Sequence, residues 1–177
     1  TGLPANMLAS SVSWSPNEKK IGFTNTTNQR IDLYVIDVAT QKAVKINKQP
    51  LNVILGEDFT WVDDNTLLYK TTLMPASAAP PKPLMPKGPA VQENLGKAAP
   101  SRTYQDLIRS PYDEQLFEFY ATAQLLKNVN GVETKLGTPA IFSSVSISPD
   151  KKYSLVRTIR KPFSYLVPAQ RFPSVVT

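Results

Sequence analysis

The sequence contains no cysteine and no histidine. Without cysteine there is neither a disulfide framework nor a thiolate metal site. Without histidine there is no Ser-His-Asp or Cys-His centre within the chain and no histidine-ligated zinc. Catalytic residues and cofactors are therefore expected to be absent from this chain. Glycine is scarce, 7 residues against 16 prolines. That balance favours turns and extended connections over long helices. No apolar run reaches the ~18 residues of a membrane span. Also missing are a Gly-x-Ser-x-Gly elbow, a Gly-x-x-x-x-Gly-Lys phosphate loop and a Gly-x-Gly-x-x-Gly turn. No leader precedes Thr1, so no signal peptide is visible. A start without Met and an apolar end, Phe172 to Thr177, suggest an excised fragment.

What is present is globular. The chain has 177 residues, 41% hydrophobic and 19% charged, enough for a sizeable core. Its net charge of +6 is unevenly spread. Lys151, Lys152, Arg157, Arg160, Lys161 and Arg171 lie after Asp150, where no acid follows. They read either as a solvated strand face or as a surface for an acidic ligand. Nucleic acid is not expected as a partner, because these cations are not interleaved with stacking aromatics along one run.

The pattern of the chain is a repeat. Val12 to Trp14 reads as a strand, Ser15-Pro16-Asn17-Glu18 as a type I turn, and Lys20 to Thr24 as the returning strand. Ile31 to Val38 is apolar at both parities, which predicts a strand buried on both faces. Ala43 to Ile46 completes four strands. The unit restarts at Phe59, where Trp61 takes the place of Trp14 and Asp63-Asp64-Asn65 supplies the turn. It restarts again at Ser144, where Ser148-Pro149-Asp150-Lys151 echoes the first turn. A repeating meander of ~40 to 45 residues is the mark of a propeller blade. The expected fold is all-β: a partial β-propeller of about two to three four-stranded antiparallel blades with a proline-rich insertion. One blade is expected over 1–50, a second over 51–140 with the insertion at 73–110, and a truncated third over 141–177.

The insertion holds seven prolines between Pro75 and Pro100. It suits an extended, partly polyproline-II segment, either a plain surface loop or a lid or packing arm. Tyr104 to Ile108 reads as a turn of helix. Glu114 to Leu126 reads as a strand from its aromatic and aliphatic content, with a helix as the alternative. Trp14 and Trp61, at matching positions, are expected to pack in the core rather than stack on a ligand. Phe163 and Tyr165 suit inter-blade packing or a pocket wall. Asp63-Asp64-Asn65 is expected to be a turn rather than a calcium site. Asp113-Glu114 suits a solvated turn better than acid–base chemistry.

Four segments carry a resemblance: Lys82-Pro-Leu-Met-Pro-Lys-Gly-Pro89, Tyr104-Gln-Asp-Leu-Ile108, Tyr112 to Thr122, and Arg160-Lys-Pro-Phe-Ser-Tyr-Leu-Val-Pro-Ala-Gln-Arg-Phe-Pro173. In that order they resemble the N-terminal propeller of glutamyl endopeptidase-like serine peptidases of the prolyl oligopeptidase family. The repeat itself, Trp14 to Phe23 with Asp32-Leu-Tyr-Val-Ile-Asp37, looks TolB-like. The resemblance runs from about Asn6 to Val176 and implies a secreted or periplasmic parent whose propeller restricts substrate access to a separate α/β-hydrolase domain. The implied partners are that domain, the remaining blades and a peptide substrate. Self-association through the cut blade is a further expectation. A glutamyl preference calls for a cation facing the substrate carboxylate. Arg157, Arg160 and Arg171 are candidates for it in this chain, with Tyr165 as a candidate pocket wall. The alternative is a stand-alone TolB-like module that binds a protein partner.

Overall fold

The computed structural model describes residues 1–84 and 107–177. The chain is an all-β partial propeller built from two antiparallel sheets. The first sheet contains β1 (Ala9–Trp14), β2 (Lys20–Thr26), β3 (Ile31–Asp37) and β4 (Lys42–Lys45), side by side in chain order. The second contains β5 (Phe59–Asp63), β6 (Thr66–Thr72), β7 (Thr122–Val129), β8 (Val132–Ile147), β9 (Ser154–Ile159) and β10 (Ser174–Val176), also in chain order. One helix, α1 (Pro111–Ala121), precedes β7.

Where separate four-stranded blades are expected, the second and third units share one sheet. The cause is β8, which is 16 residues long. Its first part pairs with β7 as an outer strand, Val132 opposite Val129. Its last part pairs with β9 as an inner strand, Ile147 opposite Ser154. A bulge between Phe142 and Ser144 lies at this change of role. An extra residue in a strand increases local twist and lets one strand turn between two neighbours.

The two turns carrying the Ser-Pro signature are built alike. Ser15 Oγ donates to Asn17 Oδ1 and accepts from the Lys20 N–H. Ser148 Oγ donates to Asp150 Oδ1 and accepts from the Tyr153 N–H. In both turns the next residue takes a left-handed backbone, Glu18 at φ 60° and Lys151 at φ 62°. Proline at the second position presets φ, and the Asn or Asp side chain substitutes for a backbone acceptor.

The core between the first two units gathers Leu33, Leu51, Phe59, Leu67, Tyr69 and Leu126. Strand pairing shows which faces meet. Gly22 is paired with Val35 and Thr24 with Leu33. This face of the first sheet meets Phe59 and Trp61 of β5. The second and third units meet through Ala123, Leu125 and Phe142, with Val145 and Val156 beside them. A third cluster, Ala121, Ile141, Ile159, Phe163 and Phe172, lies under α1.

Two expectations need correction. Residues 114–121 are helical, and the strand begins only at Thr122. Ser110-Pro111-Tyr112-Asp113 is a helix start. The Ser110 hydroxyl accepts from the Asp113 N–H at 3.1 Å, and Asp113 Oδ2 accepts from the Arg109 N–H at 3.0 Å. Proline at the first helical position lacks a donor that would have had no partner there. This places Asp113 and Glu114 in a first helical turn, where acidic side chains complement the helix dipole. Trp14 is the second correction. It is 53% exposed, because β1 is an edge strand exposed along its whole length. Trp61 alone of the pair packs against the core. The tract 163–168 is an irregular loop. Phe163 is buried, in line with the packing expected of it, and Tyr165 is exposed.

Pro75 and Ala79, which flank a single 3-10 turn, have polyproline-II dihedrals. Residues 80–84 form no helix or strand, and the Pro80 carbonyl accepts from the Tyr112 hydroxyl. Residues 85–106 of the expected insertion, and with them most of the expected turn at 104–108, lie outside the described residues.

Candidate functional site

The connections differ sharply between the two ends of the strands. At one end are tight turns: 15–19 between β1 and β2, 38–41 between β3 and β4, 64–65 between β5 and β6, 130–131 between β7 and β8, and 148–153 between β8 and β9. At the other end are the short β2–β3 turn 27–30, the linker 46–58, the long connection from β6 to β7 that includes α1, and the segment 160–173 between β9 and β10. Antiparallel pairing makes the connections alternate between ends as far as β8, and the alternation is reset within β8, whose two parts pair with different neighbours on either side of the bulge at Phe142–Ser144. Long loops held on a rigid sheet are where binding roles concentrate.

The elaborated end is tied together. Asn52 on the linker donates through Nδ2 to the Tyr120 carbonyl at 2.8 Å and the Thr122 carbonyl at 3.3 Å. Leu51 forms a bridge with Thr71 of β6. The segment 160–173 is clamped to α1 from below and from the side. Below, Phe117 meets the Phe163 ring edge to face at 5.0 Å and the Phe172 ring at 5.6 Å, while Phe163 and Phe172 stack at 5.5 Å. Beside them Lys161 Nζ lies 2.7 Å from Glu118 Oε2, and the Tyr165 hydroxyl donates to Glu114 Oε2 at 3.0 Å. Glu114 and Glu118 are one helical turn apart, so both reach the same side. The hydrogen bond to Glu118 raises the Lys161 pKa above the ordinary lysine value. Partial desolvation, then the Glu114 carboxylate, raises that of Tyr165.

The structure separates the candidate residues. Arg160 directly follows β9, with its N–H on the Pro173 carbonyl. Arg171 ends a 3-10 turn in the same connection. Tyr165 lies between them in sequence but is committed to Glu114. These three share the elaborated end. Arg157 does not join them. It lies within β9, opposite Ser144 on one side and Val176 on the other, on the open face of the third unit. Among the described residues neither Arg157 nor Arg160 makes an ion pair. Glu114, read from the sequence as part of a solvated turn, and Glu118, which sequence reading did not single out, hold the 160–173 segment through Tyr165 and Lys161, and the Ser110–Asp113 helix start was the signal that places both on one helix.

A buried cation lies nearby. Lys70 of β6 is 5% exposed and donates from Nζ to the Leu55 carbonyl of the linker. Burial pushes its pKa below the ordinary lysine value, against the opposing pull of Asp58 and Glu57. Among the described residues no group of three or more His, Cys, Asp or Glu gathers to hold a metal.

The tight-turn end has a cleft of about 430 Å³ floored by Trp61, Val35 and Leu67. Its polar rim is already engaged. Lys20 Nζ donates to the Asp64 carbonyl and to Asn65 Oδ1, and Asp64 Oδ1 accepts from the Asn17 N–H. Burial raises the Asp63 pKa, but hydrogen bonds from Asn65 and Thr66 outweigh it and hold the carboxyl below its ordinary value. The Asp63-Asp64-Asn65 triplet thus works as a turn that fastens the first unit to the second.

No family model matches the chain. It is 36% identical over 186 residues to a protein of Oryza sativa subsp. japonica named "Probable glutamyl endopeptidase, chloroplastic", with 99% of this chain matching 20% of that protein. It is 37% identical over 186 residues to an Arabidopsis thaliana protein of the same name, with 99% of this chain matching 19% of it. The chain therefore spans about a fifth of the length of the curated relatives it matches.

Proposed function

We propose that this chain is a propeller segment, with TolB-like repeats, of a glutamyl endopeptidase-like serine peptidase of the prolyl oligopeptidase family. In this reading it performs no bond cleavage. Its elaborated end faces a hydrolase domain carried elsewhere in the protein and shapes the route by which peptides reach it. The observation that carries the reading is the confinement of the linker, α1 and the 160–173 segment to one end of the strands. The relatives' names support a peptidase parent, and the chain's small share of their length supports a segment that is one part of such an enzyme.

Within that end Arg160 is the residue proposed to meet a substrate carboxylate, with Arg171 beside it in the same connection. Tyr165 acts as part of the wall through its bond to Glu114. A guanidinium pairs with a carboxylate through two parallel hydrogen bonds, which a lysine cannot reproduce.

The test uses the longer protein. Arg160→Ala and Arg160→Lys are each compared with the parent on peptides that differ only by Glu or Gln at the cleaved bond. The expected outcome is a fall in kcat/KM for the Glu peptide of roughly ten- to a hundredfold, as for loss of a charged hydrogen bond, with the Gln peptide little changed. Equal effects on both peptides, or none, remove Arg160 from substrate recognition. Hydrolysis of either peptide by the 177-residue chain alone would overturn the non-catalytic reading.

A further inference from the structure

The first two units leave a second cleft where they meet, at the opposite end from the one floored by Trp61. Its volume is about 470 Å³. One wall is the start of the linker, Lys48 and Gln49, and the other is the face of the second sheet where β6, β7 and β8 run side by side. Strand pairing defines that face. Thr71 is opposite Gln124, and Leu126 is opposite Lys135. Gln124 and Leu126 are two residues apart on β7, so these four line one side of the sheet. Both walls are internal to the chain, so the cleft does not arise from where the sequence begins or ends.

The polar groups of this cleft fall into two sets. Glu133 is satisfied. Its Oε1 accepts from the Lys48 N–H at 3.1 Å and the Tyr69 hydroxyl at 2.9 Å, and its Oε2 faces Lys48 Nζ at 3.7 Å. Gln124 uses its Nε2 on the Leu125 carbonyl at 3.0 Å and the Leu136 carbonyl at 3.1 Å. Gln124 Oε1, the Thr71 hydroxyl and the Lys135 ammonium are left, without a hydrogen-bond or ion-pair partner among the described residues. Thr71 is 3% exposed and Gln124 6%. Yet among the described residues no fully buried side-chain nitrogen or oxygen goes unpartnered. The two free oxygens therefore open on the cleft rather than on packed protein. Leu73, Leu126 and Pro139 supply apolar surface beside them. A few polar groups set against apolar lining, in a cleft of this size, are the makings of a small-molecule site.

We infer that this cleft binds the free C-terminal residue of a peptide whose last side chain is apolar. Such a residue offers one partner to each free group. Its carboxylate pairs with Lys135, its amide N–H donates to Gln124 Oε1, and its amide carbonyl accepts from the Thr71 hydroxyl. Its side chain covers Leu73, Leu126 and Pro139. Binding makes and breaks no covalent bond. This inference goes beyond the proposed peptidase role and stands independently of it.

The test uses the longer protein, so that a cleft filled by another part of it reads as an absence of binding. Calorimetric titration compares N-acetyl-L-leucine, N-acetyl-L-leucinamide and isocaproate. The first carries carboxylate, amide and apolar side chain together; the second lacks the carboxylate and the third the amide. N-acetyl-L-leucine is expected to bind with a Kd of roughly 1 mM, and the other two about tenfold more weakly. Lys135→Gln should bring its affinity down to that of the leucinamide and leave the leucinamide unchanged. Thr71→Val should weaken N-acetyl-L-leucine about tenfold with no change in melting temperature, because the lost hydroxyl has no protein partner. Lys135 is exposed, and Lys135→Gln carries the test alone if Thr71→Val lowers the melting temperature. No saturable binding of N-acetyl-L-leucine overturns the inference. So does equal binding of the leucinamide or of isocaproate, or an affinity that either variant leaves unchanged.

Discussion

Gly22 and Phe59 touch across the first two units: a Cβ at residue 22 would lie 2.7 Å from the Phe59 ring. The inner strand of one unit therefore seats its aromatic residue directly on the backbone of the other. Gly22→Ala should destabilise the chain by about 1–3 kcal/mol, as overpacking does, and Gly22→Val by more. Phe59→Leu should recover part of the Gly22→Ala loss, a coupling that urea denaturation of the double mutant would read directly. Additive losses would mean that the two residues do not meet in this way.

Lys70 gives the clearest pH signature. Its folded pKa lies below the ordinary value of 10.5, mainly through burial. Between the folded value and 10.5 the unfolded chain holds more protons than the folded one. Stability from this group therefore rises with pH across that window and is lost as pH falls through the folded pKa. Lys70→Met keeps the length of the side chain without the buried charge. It should hold or raise stability near neutrality and flatten the rise towards alkaline pH. Denaturation midpoints of the two proteins at pH 8 and pH 10 decide the matter: a parallel rise in both assigns the effect to other groups.

The twin turns allow an internal control. Asp150 accepts from Ser148 and from the Lys152 N–H, which lower its pKa below the usual carboxylate value. Its stabilising effect is complete above the ordinary value and is lost as pH falls through the folded one. Asn17, in the same place in the first unit, does not titrate. Asp150→Asn should reduce acid sensitivity, seen as a smaller drop in melting temperature between pH 5 and pH 3. An unchanged drop would show that the Ser148 turn contributes nothing at low pH.

The same turns hold Glu18 and Lys151 in left-handed backbone. Such a conformation costs a residue with a Cβ about 1–2 kcal/mol, a cost glycine avoids. Glycine also loses more chain entropy on folding, which offsets part of the gain. Glu18→Gly and Lys151→Gly are each expected to stabilise by up to about 1 kcal/mol. A loss of similar size at either position, read from the denaturation midpoint, would contradict the conformation described here.

At the elaborated end, Ser110→Ala should cost about 1 kcal/mol through loss of the helix cap, while Ser110→Asp should cost little. Hydrogen exchange along α1 would localise the loss. If Ser110→Ala leaves α1 protection unchanged, the helix is held by its aromatic underside and the cap is incidental.

Much of the scaffold was readable from local chemistry. The Ser-Pro-Asn and Ser-Pro-Asp turns, the two-faced apolar strand at Ile31 to Asp37 and the strand Thr66–Thr72 follow from preset φ angles and period-two patterning, which act within a few residues. Helix α1 was readable as well, through the Ser110-Pro111-x-Asp113 start, but the aromatic content of the following residues argued for a strand and obscured it. The candidate site was less accessible. Nothing in the sequence indicates that Glu118 meets Lys161, or that Arg160 and Arg157 part company.

The sequence by itself determined the repeat, the turns that punctuate it, the absence of histidine and cysteine chemistry, and the clustering of cations after Asp150. Tertiary structure alone decided which faces of those repeats are covered. Trp14 and Trp61 occupy the same place in their units, yet among the described residues Trp61 packs against the core and Trp14 is exposed. Lys70 and Arg157 are likewise equivalent, one buried and one exposed. Periodicity assigns a side chain to a face of a strand, and burial depends on what the rest of the chain brings to that face.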